Sequence, residues 1–241
     1  MCIICIGEYD INLTELNCNK CQMIKEIPKE LVNLKELMCY NTNIKEIPKE
    51  LVNLTYLFCS FTKIKEIPKE LVNLTYLYCY NTNISIILKE LVNLITLCCY
   101  NTKIKEIPKE LVNLTYLYCS FTNIKEIPKE LVNLTYLYCS KTDIKEIPKE
   151  LVNLTHLYCS KTNIKEIPKE LVNLKFIGKD SNCIHDKSWI KTEDEIKKII
   201  KLQIFIKLYL KLPILWKIAE YYTKKKYSPE NIMKYISLEG F

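Results

Sequence analysis

The chain has no apolar run as long as about 18 residues, the shortest that reads as a membrane-spanning helix. Its closest approach, residues 196–219, is broken repeatedly by lysines. The N-terminus, MCIICIGEYD, has no basic lead-in, and its apolar stretch is too short for a secretory signal. A cytoplasmic rather than secreted protein is therefore expected. Arginine is missing altogether: all 35 basic residues are lysine. Alanine occurs once, at Ala219, and glycine three times. Lysine, asparagine, isoleucine and tyrosine are over-used instead, the skew of an AT-rich genome, which speaks to origin and not to function. Excess charge is nearly absent from most of the chain. Residues 179–241 hold 13 lysines against 8 acidic residues, and the rest holds 22 against 20. A nearly neutral body is a poor footprint for nucleic acid.

What is present is a 49% hydrophobic composition, enough for one elongated domain with a small appendage. Thirteen cysteines suggest a disulfide scaffold at first sight. Most of them recur at one place in a repeating unit, which suits packing of reduced thiols in a cytosol-like compartment better than pairing.

The unit is 20 residues long. Residues 51–70 read LVNLTYLFCSFTKIKEIPKE, and 131–150 read LVNLTYLYCSKTDIKEIPKE. Such a period is the mark of a solenoid. Leu57 and Cys59 alternate with Tyr56 and Phe58, as in a strand with one buried face. Ile64, Ile67 and Leu71 are expected to point inward from the return segment. Pro68 forbids a helix interior there and predicts a polyproline or 3₁₀-like path. One unit cannot bury its own apolar face, so stacking and terminal caps are required.

With Leu54, Leu57, Cys59, Thr62 and Ile64 at its key places, the unit resembles the leucine-rich repeat, L-x-x-L-x-L-x-x-N/C-x-L. Cys stands for the third Leu and Thr for the usual Asn. The resemblance implies an α/β class, mostly β: a right-handed horseshoe solenoid with a parallel concave sheet and an irregular convex side. The column from Thr42 to Thr162 would replace the family's asparagine ladder and give a tighter, less fully bonded turn. The IKEIPKELVNL unit and the composition are also similar to lysine-, asparagine- and isoleucine-rich repeat proteins of giant DNA viruses and some protists. That likeness implies an interaction module in host cytoplasm or virion.

Residues 1–10 are expected to form a capping strand, residues 11–177 about eight repeats and a truncated ninth, and residues 178–241 a helical cap or tail. Thr192-Glu-Asp-Glu195 is a capping box for a first tail helix. Ile204 to Leu212 alternate as a strand would, and that alternative stays open.

The predicted function is non-catalytic protein binding on the concave face, with no cofactor. The rings expected there are Tyr56, Phe58, Tyr76, Tyr78, Tyr116, Tyr118, Tyr136, Tyr138, His156 and Tyr158, with Tyr40, Phe61, Tyr80, Tyr100 and Phe121 just beyond the strands. Tyrosine presents an apolar ring with a polar tip at low entropy cost, as binding hot spots do. The competing structural reading is that the rings simply stack on one another and dry the sheet. The Lys-Glu-Lys-Glu pattern of Lys65, Glu66, Lys69 and Glu70 is a solvated face. Ile84-Ser-Ile-Ile-Leu88 departs from it and exposes Ile86.

Three further readings are weaker. Cys2, Cys5, Cys18 and Cys21 have zinc-knuckle spacing, but Cys18 and Cys21 are already repeat positions. Cys183, His185 and Asp186 cluster in the tail, and the repeats resemble those of bacterial effectors that carry a C-terminal ubiquitin-ligase domain, yet the tail is far smaller than such a domain and three adjacent residues do not readily form a catalytic triangle. The basic tail could act as an adaptor that touches calmodulin or an acidic lipid surface. The Asn-Leu-Thr sequons, such as Asn53-Leu54-Thr55, are explained by repetition of the unit.

Overall fold

A computed structural model describes residues 3–7 and 9–178. They belong to the first of the chain's two units, Met1–Trp189; the second is Ile190–Phe241. The tail features, namely the capping box, the basic segment and the Cys183, His185 and Asp186 cluster, lie outside the described residues, as does Cys2.

Each turn contributes one three-residue strand. They are β1 (Glu15–Asn17), β2 (Glu36–Met38), β3 (Tyr56–Phe58), β4 (Tyr76–Tyr78), β5 (Thr96–Cys98), β6 (Tyr116–Tyr118), β7 (Tyr136–Tyr138), β8 (His156–Tyr158) and β9 (Phe176–Gly178). All are parallel, and each pairs with its neighbours in sequence order. The register advances by one unit per strand, Leu57 opposite Leu77 and Leu77 opposite Leu97. The first step is one residue longer, Leu16 opposite Leu37.

The core follows from that register. In every full turn the inward positions, such as Leu54, Leu57, Cys59, Ile64, Ile67, Leu71 and Leu74, are essentially closed to solvent. They stack on their equivalents to make one continuous apolar column. Pro68 supplies no N–H, and the return segment proceeds by short turns instead of a helix. The Leu71 N–H donates to the Pro68 carbonyl at 3.2 Å, and the Leu74 N–H to that of Leu71 at 3.1 Å. Such three-residue steps are the 3₁₀-like path that proline permits.

Backbone pairing continues past each strand. The Cys59 N–H donates to the Tyr78 carbonyl at 2.9 Å and the Phe61 N–H to that of Tyr80 at 3.2 Å. Between these bonds the chain must turn sharply. It does so through one left-handed residue per turn, including Asn41 (φ 53°), Phe61 (φ 55°) and Phe121 (φ 59°). The threonine column closes the same bend. Thr62, Thr102, Thr122 and Thr142 each donate a hydroxyl proton to the cysteine carbonyl three residues back, at 2.6 Å. The buried carbonyl is thereby satisfied within the turn.

The N-terminal residues differ from the expected strand. Ile3–Ile6 form a single helical turn, α1. Gly7, at φ 74°, closes it, and its N–H reaches the Ile4 carbonyl at 3.1 Å. Ile4, Cys5, Tyr9 and Leu13 pack against the core. Among the described residues no helix is long and apolar enough to cross a membrane.

Candidate interaction surface

The strand positions that do not enter the core carry the rings. Expected to stand free, they are in fact largely covered by one another. Phe58, Tyr78 and Tyr158 are buried, and Tyr80 has no exposed surface at all. Tyr56, Tyr76, Tyr100, Tyr116, Tyr118, Tyr136, Tyr138 and His156 are half-buried. The cause is the spacing of the strands. Parallel neighbours lie about 4.8 Å apart, close to the distance at which two rings stack. Tyr118 lies 4.7 Å from Tyr138, and Tyr138 lies 4.0 Å from Tyr158, with near-parallel planes. The adjoining row runs Tyr116, Tyr136 and His156, at 5.0 Å and 4.3 Å. Sequence periodicity assigns a side chain to a face; it does not say how far a ring leans over its neighbour.

Two details shape this surface. At β5 the rows carry Thr96 and Cys98, both buried, instead of two rings. The aromatic surface therefore falls into a block from Tyr40 to Tyr100 and a second from Tyr116 to Phe176. At its far end stands Gly178, where a Cβ would lie 2.6 Å from the Tyr158 ring. The missing side chain lets that ring lie down over the last strand.

Burial also sets the electrostatics. It raises the hydroxyls of Tyr118, Tyr138 and Tyr80 well above ordinary tyrosine, and pushes Tyr158 up to about 12. The Ser60 hydroxyl opposes part of the Tyr80 shift, yet neither hydroxyl reaches hydrogen-bonding geometry with a partner. All of these groups are neutral at physiological pH. The face therefore offers ring surface, with no formal charge from its tyrosines.

The cysteine column does face inward, fully buried from Cys39 to Cys139. Burial raises the Cys39, Cys59, Cys79 and Cys99 thiols well above their usual value and Cys119 to about 12. Thiols held protonated are poor nucleophiles and poor metal ligands. Of the zinc-spaced set, Cys5 and Cys21 approach with sulfurs 3.5 Å apart, whereas Cys18 is buried and directs its Sγ to the Met38 carbonyl at 3.4 Å. Among the described residues no three His, Cys, Asp or Glu side chains are arranged to hold a metal ion.

One asparagine row escaped sequence reasoning. Asn53, Asn73, Asn93, Asn113, Asn133, Asn153 and Asn173 each donate Nδ2 to the valine carbonyl 21 residues earlier, at 2.9 to 3.0 Å. These are the asparagines of the LVNL segment. A bond of side chain to the preceding turn, repeated without exception over seven turns, joined to one parallel strand and a core column per turn, decides the architecture. The fold is a leucine-rich-repeat solenoid. No protein-family model and no curated protein matches the chain. Solved leucine-rich-repeat structures do. A leucine-rich-repeat protein of Leptospira interrogans is 27% identical, with a TM-score of 0.61 over 68% of this chain and 48% of that one. The effector YopM of Yersinia pestis is 20% identical, with a TM-score of 0.61 over 69% of this chain and 49% of that one. The ectodomain of the Arabidopsis thaliana receptor kinase GASSHO1/SCHENGEN3, solved in complex with Casparian strip integrity factor 2, is 26% identical. Its TM-score is 0.58 over 69% of this chain and 24% of that one. The solenoid thus spans about half the length of the first two and a quarter of the third.

Proposed function

We propose that this solenoid is a non-catalytic module that binds a protein partner on the aromatic face of its sheet. The observation that carries this reading is the pre-stacked block of Tyr116, Tyr118, Tyr136 and Tyr138, half-buried before any partner arrives. Rings already fixed by stacking lose little further freedom on binding, which removes one of the costs a contact surface must overcome. Their ring edges supply the apolar contact area. The plant receptor ectodomain, solved in complex with Casparian strip integrity factor 2, offers a precedent for a leucine-rich-repeat solenoid that holds a binding partner.

The test is affinity capture with the full chain, comparing wild type with a variant carrying Tyr116→Ser and Tyr136→Ser and with one carrying Tyr118→Ser and Tyr138→Ser. Each variant is first shown to melt cooperatively. A partner retained by wild type and lost by both supports the proposal. A partner held equally by all three places the contact elsewhere and overturns it.

A further inference from the structure

The first turn breaks the threonine column. In the turns that follow, from Thr42 to Thr162, the place three residues after the core cysteine is threonine. Its hydroxyl donates to the cysteine carbonyl, as Thr42 does to Cys39 at 2.8 Å. In the first turn that place, three residues after Cys18, holds Cys21. The bend is kept, the Cys21 N–H donating to the Cys18 carbonyl at 3.1 Å. A thiol is a poor substitute for the hydroxyl as a donor. Its sulfur stands 3.5 Å from that of Cys5, sixteen residues earlier in α1.

Access separates this pair from the core column. Among the described cysteines, Cys5 and Cys21 alone are half-buried, and every other is buried. The column thiols are sealed from solution and held protonated, so an oxidant in water does not reach a reactive thiolate there. At Cys5 and Cys21 it meets two sulfurs already in van der Waals contact, which need close by only about 1.5 Å to bond. One of them sits on a helical turn of four residues, too short to be rigid on its own.

We propose that Cys5 and Cys21 form a reversible disulfide that staples the N-terminal turn to the solenoid. With glutathione disulfide as the oxidant, one cysteine thiolate attacks it and releases a first glutathione. The second cysteine thiolate then displaces the other from the mixed disulfide. The two electrons pass to the glutathione sulfurs, which leave as two thiols carrying the two protons. The bond closes the segment from residue 5 to residue 21, which contains β1. In the reduced chain only the packing of Ile4, Cys5, Tyr9 and Leu13 holds the cap over the end of the apolar column. Solenoids depend on such caps, so the redox state sets how firmly this end is shut.

The test incubates the native full chain at graded ratios of reduced to oxidised glutathione, quenches with acid and alkylates the remaining thiols for mass spectrometry. Cys5 and Cys21 are expected to lose labelling together, in a product lighter by two hydrogens that a reductant reverses, while Cys39 to Cys139 stay reduced. Cys5→Ser and Cys21→Ser each abolish the product; Cys2→Ser and Cys18→Ser retain it. Should a serine variant not fold, tandem mass spectrometry of the cross-linked wild-type peptide places the bond. Amide hydrogen exchange in residues 3–6 slows by roughly tenfold or more on oxidation, as the added link opposes opening of the cap. The proposal is overturned by glutathione adducts that never resolve to an internal bond, by a bond to Cys2 or Cys18, or by unchanged exchange. Stoichiometric zinc in the purified chain, lost in Cys5→Ser, would overturn it as well, since the thiolates would then be ligands.

Discussion

The ring of Phe61 meets Tyr80 edge-on, with centroids 5.6 Å apart, and occupies the place that Ser60 leaves empty. It also meets Tyr40 edge-on, at 5.4 Å. In the turns on either side the two positions read Tyr40-Asn41 and Tyr80-Asn81; here they read Ser60-Phe61. The aromatic ring has moved one residue along the chain and the column remains continuous. The exchange has a backbone cost. The second position is left-handed, which asparagine tolerates far better than phenylalanine.

That relationship predicts non-additivity. Phe61→Asn alone loses two edge-on contacts, each worth about 0.5–1.5 kcal/mol, partly offset by relief of the backbone. Ser60→Tyr alone forces two rings into one site. The double variant restores the arrangement of the neighbouring turns, so its stability in urea should exceed the sum of the single effects by about 1 kcal/mol or more. Additive losses would show that the two positions do not share one site.

The threonine column should be worth a hydrogen bond per turn. Thr122→Val keeps the shape but leaves the buried Cys119 carbonyl without its 2.6 Å hydroxyl partner. A loss of about 1 kcal/mol in denaturant stability is expected. No measurable change would mean that the backbone bonds of the bend suffice without it.

Cysteine reactivity should report folding. In native protein, thiol-labelling followed by mass spectrometry is expected to leave Cys39, Cys59, Cys79, Cys99, Cys119 and Cys139 untouched, since each is buried. All six should label together once the chain is unfolded in denaturant. Early modification of Cys79 or Cys99, at mid-solenoid, would contradict the closed core.

Alkaline pH should weaken the fold. Burial raises Tyr158 from 10.0 to about 12, so the folded chain keeps a proton that the unfolded chain releases near pH 10. Its contribution is complete below that pH and is lost as pH rises toward 12. Tyr118 and Tyr138 act in the same direction. Tyrosinate absorbance of the native protein should therefore lag behind that of the denatured chain, and Tyr158→Phe should make the decline shallower. A titration in which the two curves coincide would refute the buried aromatic rows.

The period and the inward positions of Leu54, Leu57, Cys59, Ile64 and Ile67 were legible because each is fixed by its own turn. Features that depend on two turns at once were not. The burial of Tyr78 and Tyr158 comes from rings one repeat away, and at Tyr158 from a glycine twenty residues on. The bond from Asn113 to Val92 spans 21 residues and leaves no trace in local periodicity. Repetition of LVNLT looked sufficient to explain the asparagines, yet their amides tie the turns together. At the N-terminus, a short apolar run fits a strand and a helical turn equally well, and Gly7 selects the turn.

Strict sequence-order pairing, with each full turn offset by the same number of residues, makes the molecule extensible. Excising residues 111–130 would bring Leu97 opposite Leu137, with the same kinds of neighbours above and below that both have now. Duplicating them would insert another identical layer. The length of the aromatic surface can therefore drift by whole layers through simple gene slippage, and selection can adjust reach without redesigning a single contact.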